Sequence, residues 1–283
     1  MEIKTLSGID SKEILQTFNA AFSDYFVPLH LSEAQFNSKR IVDKTDFSLS
    51  VGAFEKGSLV GFMLHGIATV NNQLVGYNGG TGVVPQKRGA GLTRQMYRFI
   101  LPLLKQRGIQ RLVLEVITKN LPAITSYKRC GFTIKRKLVC YRGKAQIKST
   151  SSTVVIRELE NFDWSLLASF WEVLPTWQNA IDAIEVTKDP IIALGAYLKG
   201  GEFVGYIMYT QSNQRIPQIA VHRDFRRKGI GTALISELVR RYGATLSLMN
   251  VDSTSKSLQG FMQRISLAPY LEQFEMELNL EDN

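Results

Sequence analysis

A short glycine turn occurs twice in this chain, 140 positions apart, and that distance is half of its 283 residues. The first copy is Gln86-Lys87-Arg88-Gly89-Ala90-Gly91 and the second is Arg226-Arg227-Lys228-Gly229-Ile230-Gly231. Each follows an apolar, strand-like run and opens a run with helical periodicity. Self-similarity at a fixed period limits the fold before any local assignment does. The chain therefore reads as two related domains of about 140 residues each. A glycine-rich turn feeding a helix aims backbone N–H groups and the positive end of the helix dipole at one point, which suits a phosphate.

Composition narrows the partners. Hydrophobic residues make up 45% and charged residues 21%, as in a soluble globular protein. No run of about 18 apolar residues occurs, so no membrane span is expected. The N-terminus lacks the basic-then-apolar layout of a signal peptide, and the expected location is cytoplasmic. Cys130 and Cys140 form neither a disulfide framework nor a metal-spacing motif. His30, His65 and His222 are scattered, so no metal site is expected. The net charge of +9 fits an anionic partner, either nucleic acid or a phosphorylated small molecule. The Lys/Arg groups at 87–88, 135–137, 226–228 and 240–241 are dispersed, which argues against a nucleic-acid groove.

Local patterns repeat in the same order. The first half predicts a strand over 2–6, a helix from the cap Ser11 to about 22, and a second helix after the cap Ser32. Strands follow over 47–54, 58–69 and 73–84. The Gly89 turn opens a helix with the apolar face Leu92, Met96, Phe99, Ile100 and Leu103, which Pro102 is expected to kink or end. A strand over 111–117, a helix over 121–130 and two strands near 132–135 and 137–143 complete it. The polar stretch 143–153 reads as a linker, which sets domains at 1–145 and 154–283 joined by 146–153. The second half predicts strands over 154–159, 191–198, 202–210, 215–222, 245–250 and 271–278, and helices near 163–173, 230–242 and 254–264. Leu59-Val60-Gly61-Phe62-Met63 and Phe203-Val204-Gly205-Tyr206-Ile207 share one local design. Tight turns make the early strands antiparallel, while the strand–turn–helix–strand unit forces a parallel neighbour. The fold class is α/β, in the form of an α+β mixed, mostly antiparallel sheet with helices on both faces.

The turn has the form Gln/Arg-x-x-Gly-x-Gly/Ala. Downstream of the first copy stands Asn120-x-x-Ala123-x-x-x-Tyr127-x-x-x-Gly131-Phe132. In order and spacing the two stretches resemble the GCN5-related N-acetyltransferases. The resemblance implies tandem GNAT acyl-CoA N-acyltransferase folds, acetyl-CoA (coenzyme A) as cofactor, and direct transfer of acetyl to an amine without a covalent enzyme intermediate. It implies a coenzyme cradle of Val83, Val84, Gln86, Lys87, Arg88, Gly89, Ala90, Gly91, Leu92, Thr93 and Asn120. Its counterpart is Ile219, Val221, Arg226, Arg227, Lys228, Gly229, Ile230, Gly231, Thr232 and Asn250.

Glycines at 76, 79, 80 and 82 mark a bulge or close backbone approach, or only relieve packing. Tyr127 resembles the family's general acid, since a phenol near pKa 10 suits a departing thiolate; otherwise it packs on the sheet. Asn120 binds the coenzyme or simply caps its helix. Glu115 is the candidate general base, acting through water, or else an exposed strand carboxylate. Asp24 and Tyr25 fall where the first helices border the acceptor cleft. The implied partner is a small-molecule or peptide amine, with no nucleic acid and no membrane, in a monomer or homodimer.

The second half departs from this pattern. Gly89 to Asn120 spans 31 positions and Gly229 to Asn250 spans 21, which predicts a shorter intervening helix. Aligning the segment's end places Phe261 at the Tyr127 position and Ser266-Leu267 at Gly-Phe. The cradle is retained and the chemistry stays open: the second half acetylates with solvent protonating the thiolate, binds coenzyme only, or serves as a structural partner. The alternative function is a non-catalytic acyl-CoA-binding or sensor protein.

Overall fold

In the computed structural model, residues 1–147 and 154–281 are described. They form two compact units, one of Met1–Lys135 with Phe274–Asn283 and one of Arg136–Gln273. These bounds differ from a cut at 145 and 154, because the strands β6 (Thr133–Lys144) and β12 (Ala268–Asn279) each contribute to both units. Of the expected linker, Ala145 and Gln146 donate their N–H groups to Ala244 and Ile265, both in unit 2. Residues 148–153 lie outside the described residues.

Unit 1 runs β1 (Glu2–Thr5), α1 (Ser11–Ala21), α2 (Glu33–Val42), β2 (Val51–Glu55), β3 (Ser58–Val70), β4 (Gln73–Val83), α3 (Leu92–Gln106), β5 (Arg111–Ile117) and α4 (Leu121–Arg129). Asp10, not Ser11, caps α1 by accepting from the Lys12 N–H. Ser32 and Gln35 close a capping box at α2, satisfying two otherwise orphaned donors. Strands β1 to β4 pair antiparallel, β4 and β5 pair in parallel, and β12 lies next to β5. One face is covered by α3 and α4 over Met96, Tyr97, Ile100, Leu112 and Leu114. The other is covered by α1 and α2 over Phe18, Phe36, Phe62 and Leu64. Burying each such side chain contributes about 1.5–3 kcal/mol.

Unit 2 repeats the plan with β7 (Val155–Glu158), α5 (Trp164–Ser169), α6 (Ile181–Val186), β8 (Ile191–Tyr197), β9 (Phe203–Thr210), β10 (Arg215–Val221), α7 (Ile230–Tyr242), β11 (Thr245–Asp252) and α8 (Lys256–Arg264). Its strand order is β7-β8-β9-β10-β11-β6, with β10 and β11 parallel. No described helix is long and apolar enough to cross a membrane.

Several expectations are corrected. The strands predicted near 132–135 and 137–143 are one strand, β6. The helix predicted near 163–173 ends at Ser169, and α6 after it was not foreseen. α3 continues past Pro102, which lies on its exposed side. Its inward face takes Tyr97 and Leu104, while Phe99 is 37% exposed. The intervening helix is shorter as expected, with 13 residues in α7 against 15 in α3.

Candidate active site

In unit 1 the parallel pairing of β4 with β5 extends from Val75/Arg111 to Asn78/Leu114. Beyond it β4 runs on to Val83 and β5 to Ile117, leaving a splayed mouth. A register shift against β3 at His65/Leu64 makes Gly79 a bulge. A Cβ on Gly79 would fall 2.5 Å from Asp43 Oδ2, so a side chain there would have to displace the Asp43 carboxylate. The Val84 N–H donates to Val60 at 3.0 Å and belongs to the β3 side. Strand alternation therefore turns the main-chain groups of Thr81 and Val83, rather than Val84, toward the mouth.

At the end of β4 the chain turns through Gly89 (φ 79°) and Gly91 (φ 70°), and a Cβ on either would meet nothing within 4 Å. The left-handed backbone requires glycine, and the space beside it is open. Gly91 is the N-cap of α3, and the first intrahelical bond runs from the Gln95 N–H to the Gly91 carbonyl. The N–H groups of Leu92 and Thr93 thus lack intrahelical partners and lie at the positive dipole end. Arg88 donates to the carbonyls of Val83 (3.2 Å) and Ala21 (2.9 Å) and grips Asp24 through two bonds of 2.7 and 2.6 Å. That grip holds Asp24 below the usual carboxylate range. Lys87 pairs with Glu55 at 2.5 Å. Asp24, Lys87 and Arg88 are thereby engaged in bracing the loop. Gln86 is exposed, and the groups left to meet a phosphate are main-chain N–H groups around Gly89, Ala90 and Gly91. This open, donor-lined turn fits a pyrophosphate.

α4 starts at Asn120, whose Oδ1 accepts from the Ala123 N–H at 3.2 Å. The Asn120 side chain also bonds the Tyr25 phenol, so the cap has a second task. One face of α4 turns Tyr127 into the sheet beside Thr81, whose hydroxyl bonds the phenol. Burial pushes Tyr127 up to about 12 against the opposing effect of that bond. Asn78 ties the same group together, donating to Thr81 Oγ1 at 2.8 Å and to Tyr97 Oη at 2.7 Å. The structure thus brings Tyr25, Asn120, Thr81 and Tyr127 to one place.

Glu115 occupies the opposite face of β5, since Leu112, Leu114 and Val116 alternate into the core beneath α3 and α4. It is half-buried, not exposed. The Tyr77 phenol donates to its Oε2 at 2.5 Å. Burial raises Glu115 to about 7, the Tyr77 bond opposes this, and Glu275 and Asp43 add to the rise. A carboxyl poised near neutrality can take up a proton near pH 7. The mouth therefore has a proton donor on one face and a proton acceptor on the other.

Unit 2 shows which parts of this design are general. Arg226 donates to the carbonyls of Val221 (3.0 Å) and Phe170 (3.0 Å), matching the two carbonyl bonds of Arg88, and has Glu172 at 4.0 Å where Arg88 grips Asp24. Gly229 (φ 81°) caps α7, as Gly91 caps α3. The copies are thus in register at Arg88 with Arg226 and Gly91 with Gly229, 138 positions apart and not 140. Gly89 corresponds to Arg227, itself at φ 64°. Gly231 lies inside α7 at the place of Thr93, where a Cβ would be 3.3 Å from Phe261. Matching glycine to glycine had shifted the alignment by two.

A second register follows from α8. Ser255 is its N-cap, where Asn120 caps α4. The Phe132 N–H donates to the Tyr127 carbonyl, and the Leu267 N–H donates to the Met262 carbonyl. Met262, not Phe261, therefore stands where Tyr127 stands. Asn250 is not the partner of Asn120. It sits in β11 at φ 58°, accepting from Gln273 at 2.6 Å. Pairing of Tyr77 with Val113 and of Arg215 with Ser247 likewise places Met249 at the Glu115 position.

Unit 2 holds a cleft of about 1280 Å³, open solvent at its mouth included, between β10, β11, the glycine turn and α8. Ile219, Val221, Arg226, Arg227, Gly229, Ile230, Gly231, Thr232 and Asn250 line it, whereas Lys228 lies over the Phe225 ring at 4.9 Å. On its far side Asn179 donates to the Met249 carbonyl (2.9 Å) and accepts from Arg215 (2.5 Å). Glu172 accepts from Ser255 at 3.0 Å and from Ser257 at the start of α8. Residues 171–175 and Asn179 thus line the cleft on the face where unit 1 presents Glu115. These replacements carried no motif, and only the paired contacts reveal them.

The sequence matches the family described as "Acetyltransferase (GNAT) family" over residues 12–132 and 155–265. The chain belongs to the GNAT acetyltransferases. Among solved structures it is similar to a GCN5-related N-acetyltransferase from Sphaerobacter thermophilus, with a TM-score of 0.72, 15% identity, and 99% of this chain and 95% of that one covered. A tandem GNAT protein from the clavulanic acid biosynthesis pathway gives a TM-score of 0.70 at 12% identity, with 99% of each chain covered. A GCN5-related N-acetyltransferase from Anabaena variabilis gives 0.64 at 11% identity, with 99% and 73% covered. These likenesses show the fold. No curated protein matches the sequence. Two GNAT segments in one chain agree with the repeat, and GNAT proteins are in general N-acyltransferases.

Proposed function

We propose that unit 1 moves an acetyl group from acetyl-CoA to an amine, and that unit 2 holds a coenzyme without transferring from it. The observation that carries the reading is Tyr127, a buried and protonated phenol bonded to Thr81 beside the splayed end of β4. Acetyl-CoA, when bound, supplies an activated acyl thioester. The turn at Gly89–Gly91 and the main-chain groups of Thr81 and Val83 would hold it. Tyr127 keeps its proton on Oη at neutral pH and gives it up only to a strong base such as a leaving thiolate, whose basicity the same dry surroundings increase. Glu115 removes a proton from the acceptor ammonium, directly or through water, and Tyr77 orients it. Asn120 and Tyr25 border the acceptor side.

In unit 2 both chemical positions are methionine, at 249 and 262, and Asn179 with Arg215 occupies the acceptor side. A thioether neither donates nor accepts a proton usefully. That favours binding without turnover there. Two free cysteines, one half-buried and one buried, are consistent with a reducing, cytoplasmic setting. The test is Tyr127→Phe with thiol release followed against a panel of amines. Turnover falls about 10²–10⁴-fold with coenzyme affinity kept if the reading is right. Unchanged turnover rejects it.

A further inference from the structure

We infer that the ligand of unit 2 is an acyl-CoA whose acyl group is an aliphatic chain longer than acetyl, lying in the apolar end of the cleft beside Met249. This rests on the reading that unit 2 holds a coenzyme, and it names which thioester. The cleft has a charged end and an apolar end. Its carboxylates are Glu172 and Asp252, and its cations are Arg226, Arg227 and Arg264. Asp252 pairs with Arg136 at 3.4 Å. Glu172 lies 4.0 Å from Arg226 and accepts from Ser255 and Ser257. Among the described residues no carboxylate pairs with Arg227 or Arg264. Two positive charges therefore remain for a ligand, together with the main-chain donors of the turn at Gly229, and they suit the phosphates of a coenzyme.

The other end offers a charged amine nothing to bind. Its polar side chains are joined to one another. The Trp171 indole donates to Tyr206 Oη at 2.7 Å, Tyr206 donates to Gln218 Oε1 at 2.8 Å, and Gln218 donates to the Asn179 carbonyl at 2.7 Å. Asn179 in turn donates to the Met249 carbonyl at 2.9 Å and accepts from Arg215. Gln218 and Asn179 are both buried, and each has its partners within the protein. Around them the wall is Val173, Leu174, Pro175, Pro217, Leu248 and Met249. Residues 171–175 run without helix or strand, yet they are pinned: the Leu174 carbonyl accepts from Arg136 at 2.8 Å, and Glu172 is fastened to the start of α8. An ammonium group entering here would lose its water without gaining a partner. Methylenes entering here gain by leaving water. A phosphate-binding end continuous with such a wall fits a thioester that carries an aliphatic tail.

All three tryptophans, Trp164, Trp171 and Trp177, belong to unit 2, and Trp171 lines the cleft. Tryptophan fluorescence of the full chain therefore reports on unit 2. The experiment titrates it with coenzyme A, acetyl-CoA, octanoyl-CoA and octanoate. Each buried methylene strengthens binding about four-fold. Burying only two of the extra methylenes should make octanoyl-CoA bind at least about ten-fold more tightly than acetyl-CoA. Val173→Asp should bring octanoyl-CoA back to the affinity of acetyl-CoA and leave coenzyme A unchanged, which also shows that the variant is folded. Val173→Leu should keep the preference. Equal affinities for the two thioesters in the unaltered protein overturn the inference and leave the coenzyme reading standing. So does a preference for octanoyl-CoA that survives Val173→Asp. A response to octanoate with none to coenzyme A or acetyl-CoA refutes the coenzyme reading while upholding the apolar end. No response to any of the four overturns both.

Discussion

Removing the Tyr77 hydroxyl tests the proton-acceptor role of Glu115 more sharply than removing Glu115 itself. The phenol donates to Oε2 at 2.5 Å and stabilises the ionised carboxylate. A hydrogen bond to a charged group contributes about 1.5–3 kcal/mol, and one pKa unit is worth about 1.36 kcal/mol. Tyr77→Phe should therefore raise Glu115 by about 1–2 units above its present value of about 7. The other charged groups acting on Glu115 are Glu275 and Asp43, which raise it, and Lys39, which lowers it, and none of them is altered. The assay is kcat/KM for acetyl transfer as a function of pH. The wild-type profile should have an acid limb centred near 7, the region of the Glu115 titration. In Tyr77→Phe that limb should move to about pH 8–9, so activity drops about 5- to 50-fold at neutrality and recovers at higher pH. Glu115→Gln should lose activity at every pH with no recovery. A Tyr77→Phe enzyme impaired equally at all pH values, or a wild type with no acid limb near 7, would refute the assignment of Glu115 as base.

Gly91→Ala and Gly229→Ala each force an L side chain into left-handed backbone. The expected stability loss is about 1–2 kcal/mol, read as a lowered denaturant midpoint, and each should remove one of two coenzyme sites in a calorimetric titration. Glu115, raised to about 7 from 4.5, is protonated in the folded state when the unfolded chain has already ionised. Stability should therefore fall as pH rises through that window, and Glu115→Gln should abolish about 3 kcal/mol of this loss in denaturant titrations at pH 4.5 and 8. His65 has the opposite sign. Burial lowers it to about 4 from 6.5, so stability is lost as pH falls through that range by about 3 kcal/mol, a loss that His65→Asn should remove. Met262→Tyr alone should leave unit 2 without activity in a Tyr127→Phe background, because Met249 and the Asn179–Arg215 pair remain; measurable turnover would contradict that reading.

The repeat, the mixed sheet and most helices could be read from the chain because periodicity and turn chemistry are local. The first α4 motif was equally legible: its Asn, Tyr and Gly-Phe positions cap, point and end one short helix. What misled was the glycine spacing. Gly89-Ala-Gly91 and Gly229-Ile-Gly231 match as strings, yet only Gly91 and Gly229 cap helices, while Gly231 makes room for Phe261. A glycine demanded by φ and one demanded by a neighbour look the same in sequence. Glu115 was legible as a position but not as a state, because its pKa is raised by burial in the folded sheet and held back by Tyr77, which lies 38 residues away on another strand. Segment 171–179 was invisible in its role, since its contacts with Met249 and Arg215 are long-range.

The two copies separate what the fold needs from what the reaction needs. The arginine that ties the turn to its preceding strand and to the end of the first helix is present in both, with nearly the same bond lengths. It is therefore a requirement for building the turn, whatever the turn holds. The phenol, the carboxylate and its hydroxyl partner are present in unit 1 alone, and unit 2 replaces them with Met262, Met249 and Arg215. Buried groups able to exchange protons cost stability unless they are hydrogen-bonded or paired, and they concentrate where function uses them. Their absence from one copy, with the turn and its cleft kept, is what the proposal of a unit 2 that holds a ligand without transferring from it requires.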